Sequence, residues 1–271
     1  MPTTVDGFEY MIAASSAWIT DYTGAGGNII IPSSIEGYPV TRIGYAAFEN
    51  NSNITSVFIP SIVSDIASYA FDNCSKLLAI NVDSGNGNYS SNNGVLFDKS
   101  QTLLICNPAG LTGGYVIPST VTSISDWAFA YNQLTNISIP NSVTNIGIYA
   151  FRNSINLTNI TIPFSVNNIG GGALNYCNSL TSISVDSVNI NYSSLAGVLY
   201  NKLQTQLICY PAGINGTFTV PNSVISINSS AFEKCTKITG ITIGSNVVTI
   251  GNKAFFACTG FRLRCSGSFV S

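Results

Sequence analysis

The 271-residue chain contains no histidine, which removes the histidine general base, the Ser-His-Asp arrangement and the histidine metal site in one step. Charge is scarce as well. Asp, Glu, Lys and Arg make up 8% of the residues, against about a quarter in an average soluble domain. The net charge of -2 sets up no long-range field to gather nucleic acid or an anionic membrane, so neither is expected as a partner. Although 45% of the residues are hydrophobic, no unbroken apolar run approaches the roughly 20 residues of a membrane-spanning helix, and membrane insertion is not expected. Apolar residues come in short runs such as Ile29-Ile30-Ile31 and Leu103-Leu104-Ile105-Cys106, bounded by Pro, Gly, Asn and Ser. That is the pattern of short buried strands. The start of the chain lacks the basic residues and apolar stretch of a signal peptide. Any export signal is therefore expected to have been removed or to lie outside this stretch.

What is present is a repeat. The pair Ala-Phe returns at Ala47-Phe48, Ala70-Phe71, Ala128-Phe129, Ala150-Phe151, Ala231-Phe232 and Ala254-Phe255, with Ala173-Leu174 as a variant. From Phe71 onward a Pro stands eleven residues before the second member of the pair, at Pro60, Pro118, Pro140, Pro163 and Pro221, with Gly244 in the last copy. The residue at the position before that Pro falls at Ile31, Ile59, Val82, Ile117, Ile139, Ile162, Val185, Val220 and Ile243, where Val82 and Val185 precede Asp83 and Asp186 instead and Ile243 precedes Gly244, with steps of 28, 23, 35, 22, 23, 23, 35 and 23. The basic step is thus 23 residues, and two coils carry a twelve-residue insertion. Those two coils are copies of each other. Asn88-Tyr89-Ser90-Ser91 through Cys106-Asn107-Pro108-Ala109-Gly110 matches Asn191-Tyr192-Ser193-Ser194 through Cys209-Tyr210-Pro211-Ala212-Gly213 at an offset of 103.

A unit of this length cannot bury its own apolar side, and stacked copies solve the problem by sharing one core. The expected fold is a β-rich right-handed solenoid, a leucine-rich-repeat horseshoe of about ten coils with 23-residue repeats and a parallel β-sheet on its concave side. Ile-x-Ile supplies the strand, with alternate side chains inward, and Pro ends it because it has no N–H for the ladder. Ala-Phe fills the far corner.

These residues resemble the BspA-like, or treponemal-type, leucine-rich repeats. The likeness covers nearly the whole chain and includes the longer coil Asn-Tyr-Ser-Ser…Gly-Val-Leu-Phe…Leu-Ile-Cys-Asn-Pro-Ala-Gly and the first coil, Ile31-Pro32-Ser33-Ser34-Ile35-Glu36-Gly37-Tyr38-Pro39-Val40. Residues 1–27 then read as a capping hairpin, with strands near Phe8–Ala13 and Ala17–Tyr22, and residues 28–271 as one continuous solenoid domain. The resemblance implies a secreted or cell-surface protein in a family associated with adhesion and without shared catalytic residues or cofactor. It implies a broad class of binding protein rather than a partner. At Phe261-Arg262-Leu263-Arg264-Cys265 a strand begins one residue out of register, and a terminal cap or attachment domain is expected beyond it.

Two columns of variable residues are the candidate sites. The outward residue of each front strand gives Ile30, Phe58, Asn81, Val116, Ser138, Thr161, Ser184, Thr219 and Thr242. Its apolar first half suits a protein ligand, although β-branched and aromatic residues also simply favour strands. The ligand-binding set expected from it is Ile30, Phe58, Asn81, Val116, Ser138 and Thr161. A second column, before the Ala-Phe pair, holds Tyr69, Trp127 and Tyr149, flanked by Tyr131 and Tyr176. Beside Asp72 and Asp126, these rings suit a sugar or cross-coil packing. The cysteines Cys74, Cys177, Cys235 and Cys258 share one repeat position, and Cys106 matches Cys209. They read as small inward residues rather than disulfides or metal ligands. Asp83 and Asp186, equivalent after their strands, read as Asx turns.

Three functions compete. The first is an extracellular protein-binding or adhesion module using the concave face. The second is carbohydrate recognition by the aromatic column. The third is a structural or water-ordering surface built on the Ser/Thr ladder. An enzyme is not expected.

Overall fold

The computed structural model describes residues 3–266 and is built of strands and turns alone. It divides into two compact units. The first runs to Thr112 and resumes at Thr120–Gln133; the second takes Gly113–Ser119 and continues from Leu134. Each is a stack of β-solenoid coils.

One coil of the first unit shows why the repeat folds as it does. In the strand Ile54–Ile59, residues Ile54, Val57 and Ile59 are buried. Pro60 ends the strand, Val63 turns inward, and Asp65–Ile66 forms a two-residue strand on the return side. Ala70, Phe71, Cys74 and Leu77 then fill the interior before the next front strand, Ala79–Val82. Neighbouring front strands pair in parallel, with Ile30 beside Phe58 and Phe58 beside Asn81. Return strands do the same, with Ile19 beside Ile43 and Ile43 beside Ile66. At the far corner, rings stack from coil to coil: Phe48 on Phe71 in the first unit, and Tyr210, Phe232 and Phe255 in the second.

The N-terminal hairpin has strands Phe8–Ala13 and Ser16–Tyr22. Its second strand does more than cover an open end, because Ala17, Trp18 and Ile19 pair in parallel with Val40, Arg42 and Ile43 as the first member of the return sheet. At the other end, Arg262–Ser266 pairs with Gly240–Gly244, setting Leu263 beside Ile241. That strand is one residue short of the repeat step but in continuous register. The cap or attachment domain expected afterwards lies outside the described residues.

The front sheet is not continuous. In the first unit it comprises Gly27–Ile30, Ile54–Ile59 and Ala79–Val82; in the second it runs as separate ribbons of two, two and three strands. One cause is the inserted coil. Its hairpin pairs Tyr89–Asn92 with Val95–Asp98, and the turn residue Gly94 accepts the amide of Ile80 at 2.7 Å, a bond otherwise open to a front-strand neighbour. The copy repeats this device, with Ile183 donating to Gly197 at 2.8 Å. Asn93 and Gly94 both have positive φ, as do Ala196 and Gly197, which is the two-residue turn that matches strand twist. The hairpin then adds Leu103–Cys106, whose Leu104 joins the return side beside Ile124.

Each inserted coil is pinned by a buried asparagine that the sequence reading passed over. Asn86 Nδ2 donates to the carbonyls of Pro60 and Val63 at 3.0 and 2.8 Å, while its Oδ1 accepts from the amides of Asn88 and Tyr89. Asn189 makes the equivalent four bonds to Pro163, Val166, Asn191 and Tyr192. A buried backbone group left unpaired is costly, so one side chain here satisfies four of them.

Candidate ligand-binding surfaces

In the first unit the front column brings Ile30, Phe58 and Asn81 into register. Ile30 is 71% exposed, and Phe58 is half-buried between its neighbours. Val116, Ser138 and Thr161 fall in the second unit, where Val116 is 74% exposed and Ser138 and Thr161 are exposed. The hydroxyl rows there are short: Thr161 lies beside Ser184, and Thr219 beside Thr242, with Arg264 next.

The aromatic column occupies an unusual backbone site. Ala46, Tyr69, Trp127, Tyr149, Gly172, Ser230 and Lys253, the residues before each Ala-Phe pair, all have φ between 55 and 70°. So do Tyr131 and Tyr176, at 56 and 64°, in a second left-handed position shared with Asn50, Asn73 and Asn153. The cause is the tight corner. The carbonyl of Tyr69 accepts the amide of Asp72, and that of Ala70 accepts the amide of Phe48 from the preceding coil. Gly and Asn fill such positions most easily, and an aromatic ring there costs about 1 kcal/mol.

The five aromatic residues divide between two settings. In the first unit Tyr69 stacks on Tyr45 with ring centres 5.4 Å apart and meets Trp127 edge-on at 4.6 Å. Tyr131 is close enough to act electrostatically on Tyr69, whose phenol is pushed well up, chiefly by burial and then by the charges of Asp72 and Glu49. In the second unit Arg152 lies over the rings of both Tyr149 and Tyr176, at 5.0 and 4.5 Å. Tyr176 donates its hydroxyl to Glu233 Oε1 at 2.9 Å, and Asn175 Nδ2 donates to Glu233 Oε2 at 2.8 Å.

Beside Tyr69 and Trp127 in the first unit lies a cleft of about 220 Å³. Tyr69 and Trp127 wall it, Ile105 and Cys106 back it, and Asp72 and Asn107 are among its polar lining. Asn107 is 2% exposed; its Oδ1 accepts from Asn132 Nδ2 at 2.7 Å, and its own Nδ2 has no hydrogen-bond partner. Asp98, also in the lining, accepts from Ser100, Thr102 and the amide of Leu103. Burial acts to raise its pKa, but those hydrogen bonds outweigh it and hold the carboxyl below its ordinary value. The equivalent place in the second unit is a smaller space of about 100 Å³ lined by Gly170, Gly171 and Gly172. Sequence reading placed Tyr69, Trp127 and Asp72 together but missed Tyr45, Asp98 and Asn107. Asn107 was hidden because it reads as one more asparagine in an Asn-Pro-Ala-Gly turn.

The cysteine column has a role that size alone does not describe. Cys74, Cys177 and Cys258 donate their thiols to the carbonyls of Phe48, Phe151 and Phe232 in the preceding coil, at 3.0, 3.1 and 2.8 Å. Asn51 and Asn132 at the same position also donate backwards, to Tyr22 and Pro108. The position therefore selects a donor. Burial pushes the Cys74 and Cys209 thiols up to about 12. Cys235 and Cys258 share a hydrogen bond that raises the pKa of the first and lowers that of the second. Six cysteines are free thiols in this structure, and the seventh, Cys265, has its side chain outside the described region. Asp83 and Asp186 form Asx turns, accepting the amides of Gly85 and Val188 at 2.8 and 3.0 Å. Among the described residues, no group of three or more Cys, Asp or Glu side chains is placed to hold a metal ion, and no helix is long and apolar enough to cross a membrane.

A family model described as the BspA type leucine rich repeat region matches in six copies over residues 26–103, 113–205 and 215–269. The chain belongs to that family. Among solved structures it is similar to a leucine rich cell surface protein from Faecalibacterium prausnitzii, with 28% identity over 97% of this chain and 76% of the other, and a TM-score of 0.59. It is also similar in fold to a leucine-rich repeat protein from Eubacterium ventriosum, at 24% identity over 90% and 67% of the two chains with a TM-score of 0.64. A third is the pneumococcal vaccine antigen PcpA, at 19% identity over 97% and 70% with a TM-score of 0.57. A search of curated proteins finds no match. The family is a repeat scaffold, consistent with protein binding, and its name carries no reaction.

Proposed function

We propose that the chain is a non-catalytic extracellular binding module that holds a protein of a host, a matrix or another cell surface through the outward face of its front strands. The observation that carries this reading is Ile30, 71% exposed and in register beside Phe58 in the first unit. Covering an isoleucine and the open side of an aromatic ring contributes about 2–4 kcal/mol, the scale on which a few residues dominate a protein interface. The scarcity of charge leaves such a contact to apolar fit and neutral hydrogen bonds. Similarity to a protein described as a cell surface protein supports an extracellular setting.

The test is capture of the purified chain by immobilised matrix proteins and by intact cells. The double variant Ile30→Asp, Phe58→Asp is expected to lose at least about tenfold in affinity with its urea unfolding unchanged, because both side chains point out of the core. Val116→Asp asks the same of the second unit. Capture that survives all three substitutions moves the contact off the strand face and overturns the assignment.

A further inference from the structure

We infer that the cleft walled by Tyr69 and Trp127 is a binding site for one neutral sugar residue, distinct from the strand face proposed above. The walls come first. Tyr69 and Trp127 border the cleft together with Leu103 and Ile105, and aromatic faces pack well on the C–H face of a pyranose ring. Both rings stand at a corner whose backbone is better served by glycine, as at Gly172. They contribute nothing to the turn that a smaller residue would not.

The polar lining narrows the ligand further. The Nδ2 of Asn107 is a buried donor with no partner in the wall of the cleft, so a ligand gains by bringing it an acceptor. Asp72, Asp98 and Asp126 are in the lining and no Lys or Arg is, which disfavours an anion. An ammonium group suits carboxylates and aromatic faces but has no lone pair to offer Asn107. A hydroxyl both donates and accepts. It can accept a hydrogen bond from Asn107 Nδ2 while donating one to a carboxylate, and a polyol with one apolar face satisfies rings, acids and amide together. The volume of about 220 Å³ is below the roughly 300–1,000 Å³ of sites for larger ligands, which fits one ring.

The duplicated coil supplies an internal control. At the offset of 103, Tyr69, Trp127, Ala130 and Asn107 become Gly172, Ser230, Glu233 and Tyr210. The walls are gone, and Glu233 takes the hydrogen bonds of Asn175 and Tyr176. The same skeleton is closed in one unit and open in the other.

The experiment uses a Trp18→Phe background, which leaves Trp127 as the one indole of a chain with two Trp. Methyl glycosides of neutral hexoses, deoxyhexoses and N-acetylhexosamines are titrated, following Trp127 emission and saturation-transfer NMR. An array of neutral glycans distinguishes a free sugar from the terminal residue of a chain. The expected result is saturable binding of at least one sugar, weakened at least about tenfold by Tyr69→Ala and by Asn107→Asp, and unchanged by Tyr149→Ala or by Ile30→Asp with Phe58→Asp. Asn107→Asp keeps the acceptor used by Asn132 and removes the donor; if it fails to fold, Tyr69→Ala on the rim carries the test. The proposal is overturned if no neutral saccharide binds, if choline or arginine binds where sugars do not, or if sugar binding survives both cleft substitutions.

Discussion

The two inserted coils, near residues 86–110 and 189–213, share a skeleton and show different surfaces. Lys99 donates to the Ser84 carbonyl at 3.2 Å and Lys202 to that of Ser187 at 3.1 Å. Ser91 and Ser194 accept the amides of Val82 and Val185, and Gly110 and Gly213 donate to Leu77 and Leu180. Yet where the first copy has Gly85, Gly87 and Ser100, the second has Val188, Ile190 and Leu203, which are 65, 76 and 77% exposed. The difference teaches which positions answer to the backbone. Most residues that bond to main-chain groups are the same in both copies, and where one differs, as Asp98 and Asn201 do, the bonds to the main chain persist; the solvent-facing positions differ more freely.

Disturbing the shared skeleton should cost both copies alike. Asn86→Leu and Asn189→Leu each strand three backbone groups, the carbonyls of Pro60 and Pro163 still accepting from Val63 and Val166, and each is expected to destabilise by about 2–4 kcal/mol, read as a lower urea midpoint. A large inequality between them would mean that the copies do not rest on the same bond set. A smaller effect of opposite sign is expected inside the second copy. Tyr200 is fully buried with no partner for its hydroxyl, and burial, then Tyr210, pushes that phenol up to about 12; the first copy has Phe97 there. Tyr200→Phe should therefore stabilise by about 1 kcal/mol, and a loss of stability would show that the hydroxyl is satisfied in solution.

The smallest effect concerns pH. Asp98 has its pKa lowered from 3.8 in the first copy, where the second has Asn201. A depressed carboxyl contributes stability that is present above its unfolded value and lost as pH falls through its folded one. The contribution should thus fade below about pH 4, and Asp98→Asn should flatten that acid limb of the unfolding midpoint. Asn201 keeps the same role without a titrating group, accepting the amides of Thr205 and Gln206 at 2.9 and 3.0 Å. An unchanged acid limb in Asp98→Asn would place the titration elsewhere.

The coil was legible in the sequence because Ile-x-Ile, Pro and Ala-Phe each mark a position where burial or a missing N–H admits few residues. The breaks in the front sheet beside the two inserted coils were not, because the turns at Gly94 and Gly197 capture amides of strands many residues earlier, a long-range competition that periodicity does not encode. The aromatic column was visible as a set of positions, but its left-handed backbone was masked by the variety of Ala46, Tyr69, Trp127, Ser230 and Lys253; Gly172 alone hinted at it. The cysteine column offered a clue in plain view. Asn51, Cys74, Asn132 and Ser154 are all side-chain donors, and small size was the weaker half of what they share.

The left-handed corner before each Ala-Phe pair has a consequence for how such a chain can change. Its geometry is imposed by turns and coil-to-coil bonds that the main chain of every residue but proline can make, and it already accommodates alanine, glycine, serine, lysine, tyrosine and tryptophan. A substitution there alters what the molecule displays while leaving its core untouched. Every duplication of a coil therefore delivers a ready-made vacancy for experiment, and lineages built this way can explore new ligands without first repairing their fold.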